Sequence, residues 1–262
     1  MTAEALASRS TPSLDSLLER LGKRHFSGTP LSIGDAGGVV AQFYRSRVTS
    51  GFQPIVHAHG GAVVGHHALL RVESHTGEAV APWSLFAQAS SDAALVSLDR
   101  LCRTVHALNY FPSHSSDELL FLNVERRLLT GVAADHGAWF EAVLALIGAP
   151  THRVVIVMPA EAVDNPVAFV RAAISYRIRG YRVLVPVRST TEADLSHVFL
   201  ADPHFVALDP AALEGPSARR FLEALAQRGT HLVARGIESP ANVEAARAAG
   251  VELLQGFHFG RP

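Results

Sequence analysis

The sequence has little of several features that would place a protein in a narrow class. It contains one cysteine, Cys102, which excludes an internal disulfide and leads us to expect a reduced, cytoplasmic protein with a packed thiol. The formal net charge is −1 and no long run of Lys or Arg occurs, which argues against direct binding to nucleic acid or to an anionic membrane. No apolar stretch of about 18 residues exists, so we expect no membrane span. Residues 1–12 are rich in Ala, Ser and Thr and contain no apolar core of the kind found in signal peptides, so we expect no secretory signal.

Histidine, by contrast, is abundant, with 14 in the chain. These residues are scattered, and no pair stands at a convincing zinc-ligand spacing with cysteine, so no metal site is expected. We expect His57, His59, His66 and His75 to lie at the surface, in or near loops.

The order of apolar and amphipathic segments predicts an α/β fold. The chain has 262 residues, 48% of them hydrophobic, which suits one sizeable core and the usual size of a single α/β barrel. From Phe52 onward, apolar runs of about five residues alternate with helical segments of roughly 10–15 residues, which indicates βαβ units and a parallel sheet. Repeated crossovers form either a closed barrel or an open doubly wound sheet. No Gly-rich phosphate loop follows the first strand, which argues against a dinucleotide-binding fold.

The predicted strands are Phe52–Val56, Ala62–Val64, Leu120–Val124, Val154–Met158, Arg182–Val187, Phe205–Leu208, His231–Ala234 and Leu253–Phe257. The predicted helices include Ala138–Leu146, Asn165–Arg179, Ser217–Arg228 and Pro240–Ala249.

The start of this pattern is irregular in two ways. Only His57–Gly61 separates the first two predicted strands, which is too short for a crossover helix, so these strands should be antiparallel. Ahead of them we predict disorder over residues 1–12, a helix over Ser13–Leu21 with Ser13 as its cap, an irregular segment over 22–38 and a short helix over Val39–Arg47.

Four segments of the chain, in order, are similar to known sequence motifs. Phe52–Val56 is similar to an opening Gln-Pro-Ile-Val strand, and Gly65–Arg71 to a Gly-x-Glu-Ala-Leu-Leu-Arg segment. Ala234–Ser239 is similar to Ala-Glu-Gly-Val-Glu-Thr, and Leu254–Pro262 is similar to Gln-Gly-Tyr-x-Phe-x-Arg-Pro. Together these segments resemble the EAL family of bacterial cyclic di-GMP phosphodiesterases. The resemblance implies a TIM-like (β/α)8 barrel of EAL type with an antiparallel first strand. It places a degenerate EAL domain at 38–262, after an N-terminal extension at 1–37 that either docks a partner or packs on its own barrel.

The resemblance also implies a metal-assisted phosphodiesterase site, which this chain has largely lost. In the family, carboxylates at the strand ends hold two divalent cations, and such hard cations need several oxygen ligands. The corresponding positions here are His67, Val157–Ala160, Pro186-Val187, Ala207 and Arg235, whereas Asn123 and Asp209 keep the family's residue types. We therefore expect no bound Mg²⁺ or Mn²⁺, no other cofactor and no hydrolytic activity.

Residues that contact the dinucleotide in the family are retained more fully. By resemblance, Arg71 reaches a phosphate and Gln53 lies near a phosphate and guanine, while Asp99 and Glu238 accept hydrogen bonds from guanine. The loss of carboxylates and the gain of Arg235 favour an anion without any metal. The expected cyclic di-GMP contacts are Gln53, Leu69, Arg71, Pro82, Asp99, Asn123, Arg235, Glu238, Gln255 and Pro262. These residues lead to the hypothesis of a non-catalytic receptor that binds cyclic di-GMP and relays this to a protein partner.

Several alternatives stand beside that hypothesis. The domain could be a nucleotide-independent protein-binding module acting on a transcription or flagellar regulator, and it could form a homodimer. At single positions, Asp99 could pair with Arg103 along a helix, and Glu238 could cap the helix near Pro240. Arg235 could be solvated or paired with an acid, and His67 could be a hydrogen-bonded polar residue rather than a metal ligand.

Overall fold

A computed structural model describes residues 13–26, 31–131, 135–190, 196, 198–213 and 216–262. The disorder expected for residues 1–12 lies outside these ranges. Within them, eleven strands form one sheet and eight helices surround it. The strands are β1 Leu31–Ile33, β2 Val39–Phe43, β3 Ser46–His57, β4 Val63–Glu73, β5 Ala79–Val80, β6 Leu119–Asn123, β7 Val154–Val157, β8 Arg182–Pro186, β9 Phe205–Leu208, β10 His231–Ala234 and β11 Leu253–Gln255. The helices are α1 Leu14–His25, α2 Pro82–Ala87, α3 Asp92–Tyr110, α4 Arg126–Gly131, α5 Ala138–Ile147, α6 Pro166–Ile178, α7 Pro216–Arg228 and α8 Pro240–Ala248.

Eight of the strands close into a barrel. Strand β3 pairs antiparallel with β4 on one side and with β11 on the other, and all other barrel neighbours are parallel. The short β3–β4 connection turns through Gly60 and Gly61, which have φ angles of +85° and +69°, values that glycine adopts without strain. The predicted TIM-like barrel with an antiparallel first strand is therefore confirmed.

The core has two layers, because successive strand residues point to opposite faces. On β6, Leu119 and Phe121 pack inside the barrel, whereas Leu120 and Leu122 pack outside against the helices. The same alternation on β4 sends His67 into the barrel and its neighbour His66 to the outer wall. The barrel interior is thus filled by side chains, as in other eight-stranded barrels.

The prediction of a short helix over Val39–Arg47 is wrong. Val39–Phe43 is strand β2, Tyr44 turns the chain with a φ of +50°, and β3 begins at Ser46. Helix α3 contributes to this outcome, because Asn109 accepts a hydrogen bond from the Val39 amide at 2.6 Å and donates to its carbonyl at 2.8 Å. Short apolar runs do not distinguish strand from helix, and here the tertiary contact decides. Part of the segment expected to be irregular also forms β1, which pairs with β2.

The helix predicted behind Ser13 is present as α1, and the Ser13 side chain accepts a hydrogen bond from the Ser16 amide. The expectation for His66 is wrong, since this residue lies half-buried within β4 rather than in a surface loop. The apolar run predicted as Ala62–Val64 proved to be the start of a strand that extends to Glu73, which carries His66 onto the barrel wall. His57, His59 and His75 are exposed as expected. No helix in the described part of the chain is long and apolar enough to cross a membrane.

We expect Gly65→Ala to destabilise the barrel, because β4 and β6 approach closely at this position. A Cβ atom on Gly65 would lie 2.1 Å from the backbone oxygen of Leu119. Overpacking of this kind should lower the free energy of unfolding by at least about 2 kcal/mol, as measured by urea denaturation. The matched control is Gly22→Ala in α1, where a Cβ meets nothing within 4 Å, and it should stabilise by about 0.5–1 kcal/mol. Unchanged stability of Gly65→Ala would contradict this packing.

Candidate functional site

The C-terminal ends of the parallel strands meet at one end of the barrel, which we call the barrel mouth. Asn123 ends β6 and Gln255 ends β11, while Asp209 and Arg235 directly follow β9 and β10. The antiparallel register of β3 brings Gln53 to the same end, just beyond the Gln255↔Ile55 pair. Active sites of such barrels are built at this end, because the loops after the strands lie there.

A chain of hydrogen bonds crosses the barrel mouth. The Gln255 amide nitrogen donates to the Gln53 side-chain oxygen at 2.8 Å and to His67 Nδ1 at 3.1 Å. His67 Nε2 donates to the Asn123 side-chain oxygen at 3.0 Å, and the Gln53 amide donates to the Gly260 carbonyl at 3.4 Å. This arrangement places the His67 proton on Nε2 and uses both ring nitrogens. His67 is therefore a hydrogen-bonded polar residue, as one of the alternatives proposed.

Burial keeps His67 uncharged. It lowers the pKa of His67 to about 4, while the hydrogen bond to Asn123 opposes the shift and the charge of Arg235 adds to it. Nearby on α3, burial likewise lowers the pKa of His106 to about 3. At neutral pH both imidazoles are therefore neutral, and the positive charge of the barrel mouth comes from arginine.

Arg235 is a half-buried cation without a close acidic partner. Burial lowers the pKa of its guanidinium, and the nearby Asp209 carboxylate opposes that shift. Even so, an arginine side chain stays protonated in proteins. Among the described residues, no carboxylate lies within 4.0 Å of the Arg235 guanidinium, and Asp209 is exposed and accepts a hydrogen bond from the Ala211 amide at 3.0 Å. Arg235 thus retains donors for a ligand.

Asp99 has protein partners for both of its carboxylate oxygens. It is 3% exposed, and its Oδ2 lies 2.5 Å from Nη2 of Arg103, one helical turn further along α3. Its Oδ1 accepts a hydrogen bond from the Glu125 amide at 3.0 Å. The alternative of an ion pair along the helix is therefore what the structure contains.

Glu238 does not cap the helix that follows it. The N-cap of α8 is Ser239, whose side chain accepts from the Asn242 amide, and Asn242 accepts from the Ser239 amide in return. The capping role proposed as an alternative for Glu238 is therefore wrong, and its exposed carboxylate faces the second of two cavities described next.

Two adjacent cavities open at the barrel mouth and share Leu69 as a common wall. Their volumes are about 490 Å³ and about 440 Å³. All ten residues expected from the sequence to contact cyclic di-GMP line one or both of them. The first is lined by Leu69, Arg71, Pro82, Asp99, Asn123 and Pro262, and the second by Gln53, Leu69, Arg235, Glu238 and Gln255. Their role as ligand contacts remains a prediction.

Helix α3 and the residue just before α4 add side chains to the first cavity that were not predicted from the sequence. These are Cys102, Arg103, His106 and Glu125. Asp99, Cys102, Arg103 and His106 recur at spacings of three and four, which is typical of one face of a helix. That spacing could have revealed the longest helix of the structure, which was not among the predicted helices.

The barrel mouth does not fit a pair of hard divalent cations. The Asn123 side-chain oxygen accepts the His67 proton, Met158 and Val187 are buried without oxygen donors, and Arg235 adds a positive charge. In the described part of the chain, no three His, Cys or carboxylate ligand atoms come together there. Segment 191–195, which includes Glu192 and Asp194, lies outside that part. Water can fill part of the coordination shell of such a cation, but the protein must still supply carboxylates, and the described residues that line the two cavities around the His67 network offer only Asp209 and Glu238 beside the paired Asp99 and the peripheral Glu125.

Comparisons with known proteins agree on one family. The model of the EAL domain matches residues 40–262. YkuI of Bacillus subtilis, an EAL-domain protein solved with cyclic di-GMP and calcium, has a TM-score of 0.67 at 24% identity over 82% of this chain and 55% of its own. A standalone EAL protein of Vibrio cholerae O395 bound to cyclic di-GMP has a TM-score of 0.65 at 21% identity over 82% of this chain and 92% of its own.

A third similar structure is BlrP1 of Klebsiella pneumoniae with manganese and cyclic di-GMP, with a TM-score of 0.68 at 19% identity over 89% of this chain and 58% of its own. This chain therefore spans little more than half the length of YkuI and BlrP1. The comparison with curated proteins gives no match. At these identities the similar structures establish the fold.

We expect the stability of the protein to fall as the pH drops from 7 to 5, with His67 as one cause. The pKa of His67 is about 4 in the folded protein and 6.5 for an ordinary histidine. Between these two pH values the unfolded chain therefore binds more protons than the folded chain, and acid favours unfolding. The contribution of neutral His67 to the free energy of unfolding is complete above about pH 6.5. It should decrease by roughly 2 kcal/mol by pH 5.

Urea denaturation at both pH values measures this loss. His67→Gln should remove the His67 share, whereas His75→Gln in an exposed turn should leave the loss unchanged. An equal loss in His67→Gln and in the unaltered protein would contradict the assignment.

Proposed function

Because this chain belongs to the EAL domain family, we propose that its barrel mouth binds cyclic di-GMP without metal, does not hydrolyse it, and signals the bound state to a protein partner. The observation that carries the proposal is Arg235, a half-buried guanidinium that stands where the family carries a metal-binding carboxylate and has no close acidic partner among the described residues.

The shape of the barrel mouth supports a ligand with two bases. Cyclic di-GMP has two guanines joined through two phosphates, and two cavities of similar volume flank Leu69. Leu69 and Pro82 offer apolar surface to a base, while the exposed carboxylate of Glu238 offers an acceptor pair that suits the N1 and N2 donors of guanine. Asp99 contributes to ligand binding together with Arg103, because both members of this ion pair line the first cavity.

Charge supports binding without metal. Arg71 is exposed in the first cavity and Arg235 lines the second, so each cavity presents a guanidinium to the ligand. A guanidinium forms two parallel hydrogen bonds to a phosphate and needs no cation as an intermediary. Neutral His67 adds no repulsion of its own toward a phosphate, since its lone pair on Nδ1 already accepts from Gln255.

The same residues argue against hydrolysis. Attack on a phosphodiester in this family uses water activated by two cations, and their carboxylate ligands are replaced here by His67, by apolar residues and by Arg235. Asp209 and Glu238 remain as exposed carboxylates, too few oxygen ligands for two hard cations. The proposal is therefore a receptor rather than an enzyme.

The rim of the first cavity offers a route to a partner. Helix α2 begins at Pro82, which lines this cavity, and the next residue, Trp83, is 74% exposed. A ligand packed on Pro82 would fix the start of α2 and with it the exposed indole, a side chain enriched in protein interfaces. A partner that binds equally well with and without nucleotide would instead support the nucleotide-independent module.

We expect isothermal titration in EDTA to detect one cyclic di-GMP per chain, with saturation at tens of micromolar or below. Arg235→Ala should weaken binding about 10- to 100-fold, because a hydrogen bond to a charged group contributes about 1.5–3 kcal/mol. The control is Arg219→Ala, an exposed arginine on α7 that pairs with Glu223 and should leave the affinity unchanged. The absence of saturable heat, or equal affinity of both variants, would refute the receptor.

We expect no conversion of cyclic di-GMP to its linear product in the presence of Mg²⁺ or Mn²⁺. The reason is the shortage of oxygen ligands at the barrel mouth. Chromatography of the nucleotide after prolonged incubation measures this, with an active EAL phosphodiesterase as the positive control. Turnover proportional to the protein concentration would overturn the non-catalytic assignment while leaving binding intact.

A further inference from the structure

Three side chains with metal-ligating groups meet on the outer wall of the barrel, away from the barrel mouth. His66 points outward from β4 and pairs in register with Leu120 near the start of β6. The connection from α3 to β6 supplies His114 and Glu118. This group lies near the N-terminal end of β6, whereas the barrel mouth lies at the C-terminal ends of the strands. We call it the outer-wall triad.

The spacing of the triad is close to that of a metal centre. One ring nitrogen of each histidine and one Glu118 oxygen all lie within 4.8 Å of one another. His66 Nδ1 and Glu118 Oε2 are 3.4 Å apart, and the ring centroids of His66 and His114 are 4.7 Å apart. Bonds of about 2.0–2.1 Å in a tetrahedral zinc site place ligand atoms about 3.3 Å apart. Small rotations of the half-buried His66 and Glu118 side chains toward His114 would close the remaining gap.

Neighbouring groups hold His114 in position, and His66 Nδ1 lies 3.3 Å from the Tyr110 hydroxyl. His114 Nδ1 lies 2.8 Å from the Tyr110 carbonyl, so it carries the proton and leaves the Nε2 lone pair available. The His114 ring stacks on the Tyr110 ring at 3.9 Å, and the Tyr110 hydroxyl donates to the Leu119 carbonyl at 2.9 Å. Metal-bound histidines characteristically donate their second ring N–H to a backbone carbonyl or a carboxylate, which fixes the ring.

The chemistry of the three groups suits a transition metal. A neutral imidazole presents a lone pair to a cation, and a carboxylate supplies charge. Two imidazoles and one carboxylate, without cysteine, suit zinc and related divalent transition metals better than magnesium or calcium, which prefer oxygen alone.

We propose that His66, His114 and Glu118 form a zinc site on the outer wall of the barrel, with water as the fourth ligand. The bound ion would join the α3–β6 connection to β4, next to His67, which points inward to the barrel mouth. The competing interpretation is a proton shared between His66 and Glu118 within an aromatic cluster. The two differ in whether a metal binds in a stoichiometric ratio.

The test is titration of the full chain, without a polyhistidine tag and after removal of metal by EDTA, with zinc chloride against a chromophoric chelator. We expect one zinc ion per chain at micromolar affinity or tighter. The double variant His114→Gln, Glu118→Gln should lose at least about 100-fold in affinity, because even the loss of an outer-shell partner costs about 10- to 100-fold. His75→Gln and Asp209→Asn should bind zinc as the unaltered chain does, since both residues are exposed and lie outside the triad.

Cobalt(II) provides an independent measurement on the unaltered chain. We expect the intense visible d–d bands of a four-coordinate site, which zinc should abolish in a 1:1 ratio. If the double variant fails to fold, Glu118→Gln alone is the second variant, because Glu118 contributes no ring to the aromatic cluster. The absence of saturable zinc binding, affinity unchanged by the triad variants, or a six-coordinate cobalt spectrum would each overturn the proposal.

Discussion

A neutral imidazole, held by hydrogen bonds on both of its nitrogens, is the interaction on which the barrel mouth depends. His67 lies on β4 and links Gln255 on β11 to Asn123 on β6, so its hydrogen bonds join the strands on either side of the β3–β4 pair. A carboxylate in its place could accept from Gln255 but could not donate to the Asn123 oxygen. With His67 in this role, the Asn123 side-chain oxygen accepts a hydrogen bond within the protein's own network.

The electrostatic consequences follow from that network. Because burial keeps His67 neutral, Arg235 and Arg71 supply the positive charge near the cavities, and this charge is available to an anion. The charge of Asp99 is balanced by its ion pair with Arg103, so this carboxylate repels a bound phosphate less than a free one would. The physical basis of the proposed receptor is that guanidinium groups can bind phosphate directly.

The pleat of β4 connects the barrel mouth with the outer-wall triad. Since adjacent strand residues point to opposite faces, His67 and His66 belong to different environments although they are neighbours in sequence. A metal on the outer wall would anchor the α3–β6 connection, and β6 ends at Asn123, the hydrogen-bond partner of His67. The two proposals are nevertheless independent, because the triad shares no residue with either cavity.

The sequence by itself determined the order of the eight barrel strands from Phe52 onward, the antiparallel start, four of the helices between the later strands, and ten of the residues that line the two cavities. Each of these predictions rests on residues that are close in sequence: the hydrophobic periodicity, the five-residue connection and the four segments that resemble the family. Only the tertiary structure decided that Val39–Phe43 is a strand, because Asn109, 70 residues away, holds its backbone. Only the fold brought His66 beside His114 and Glu118 and paired Asp99 with both Arg103 and the Glu125 amide, contacts that depend on strand register and helix packing rather than on spacing along the chain.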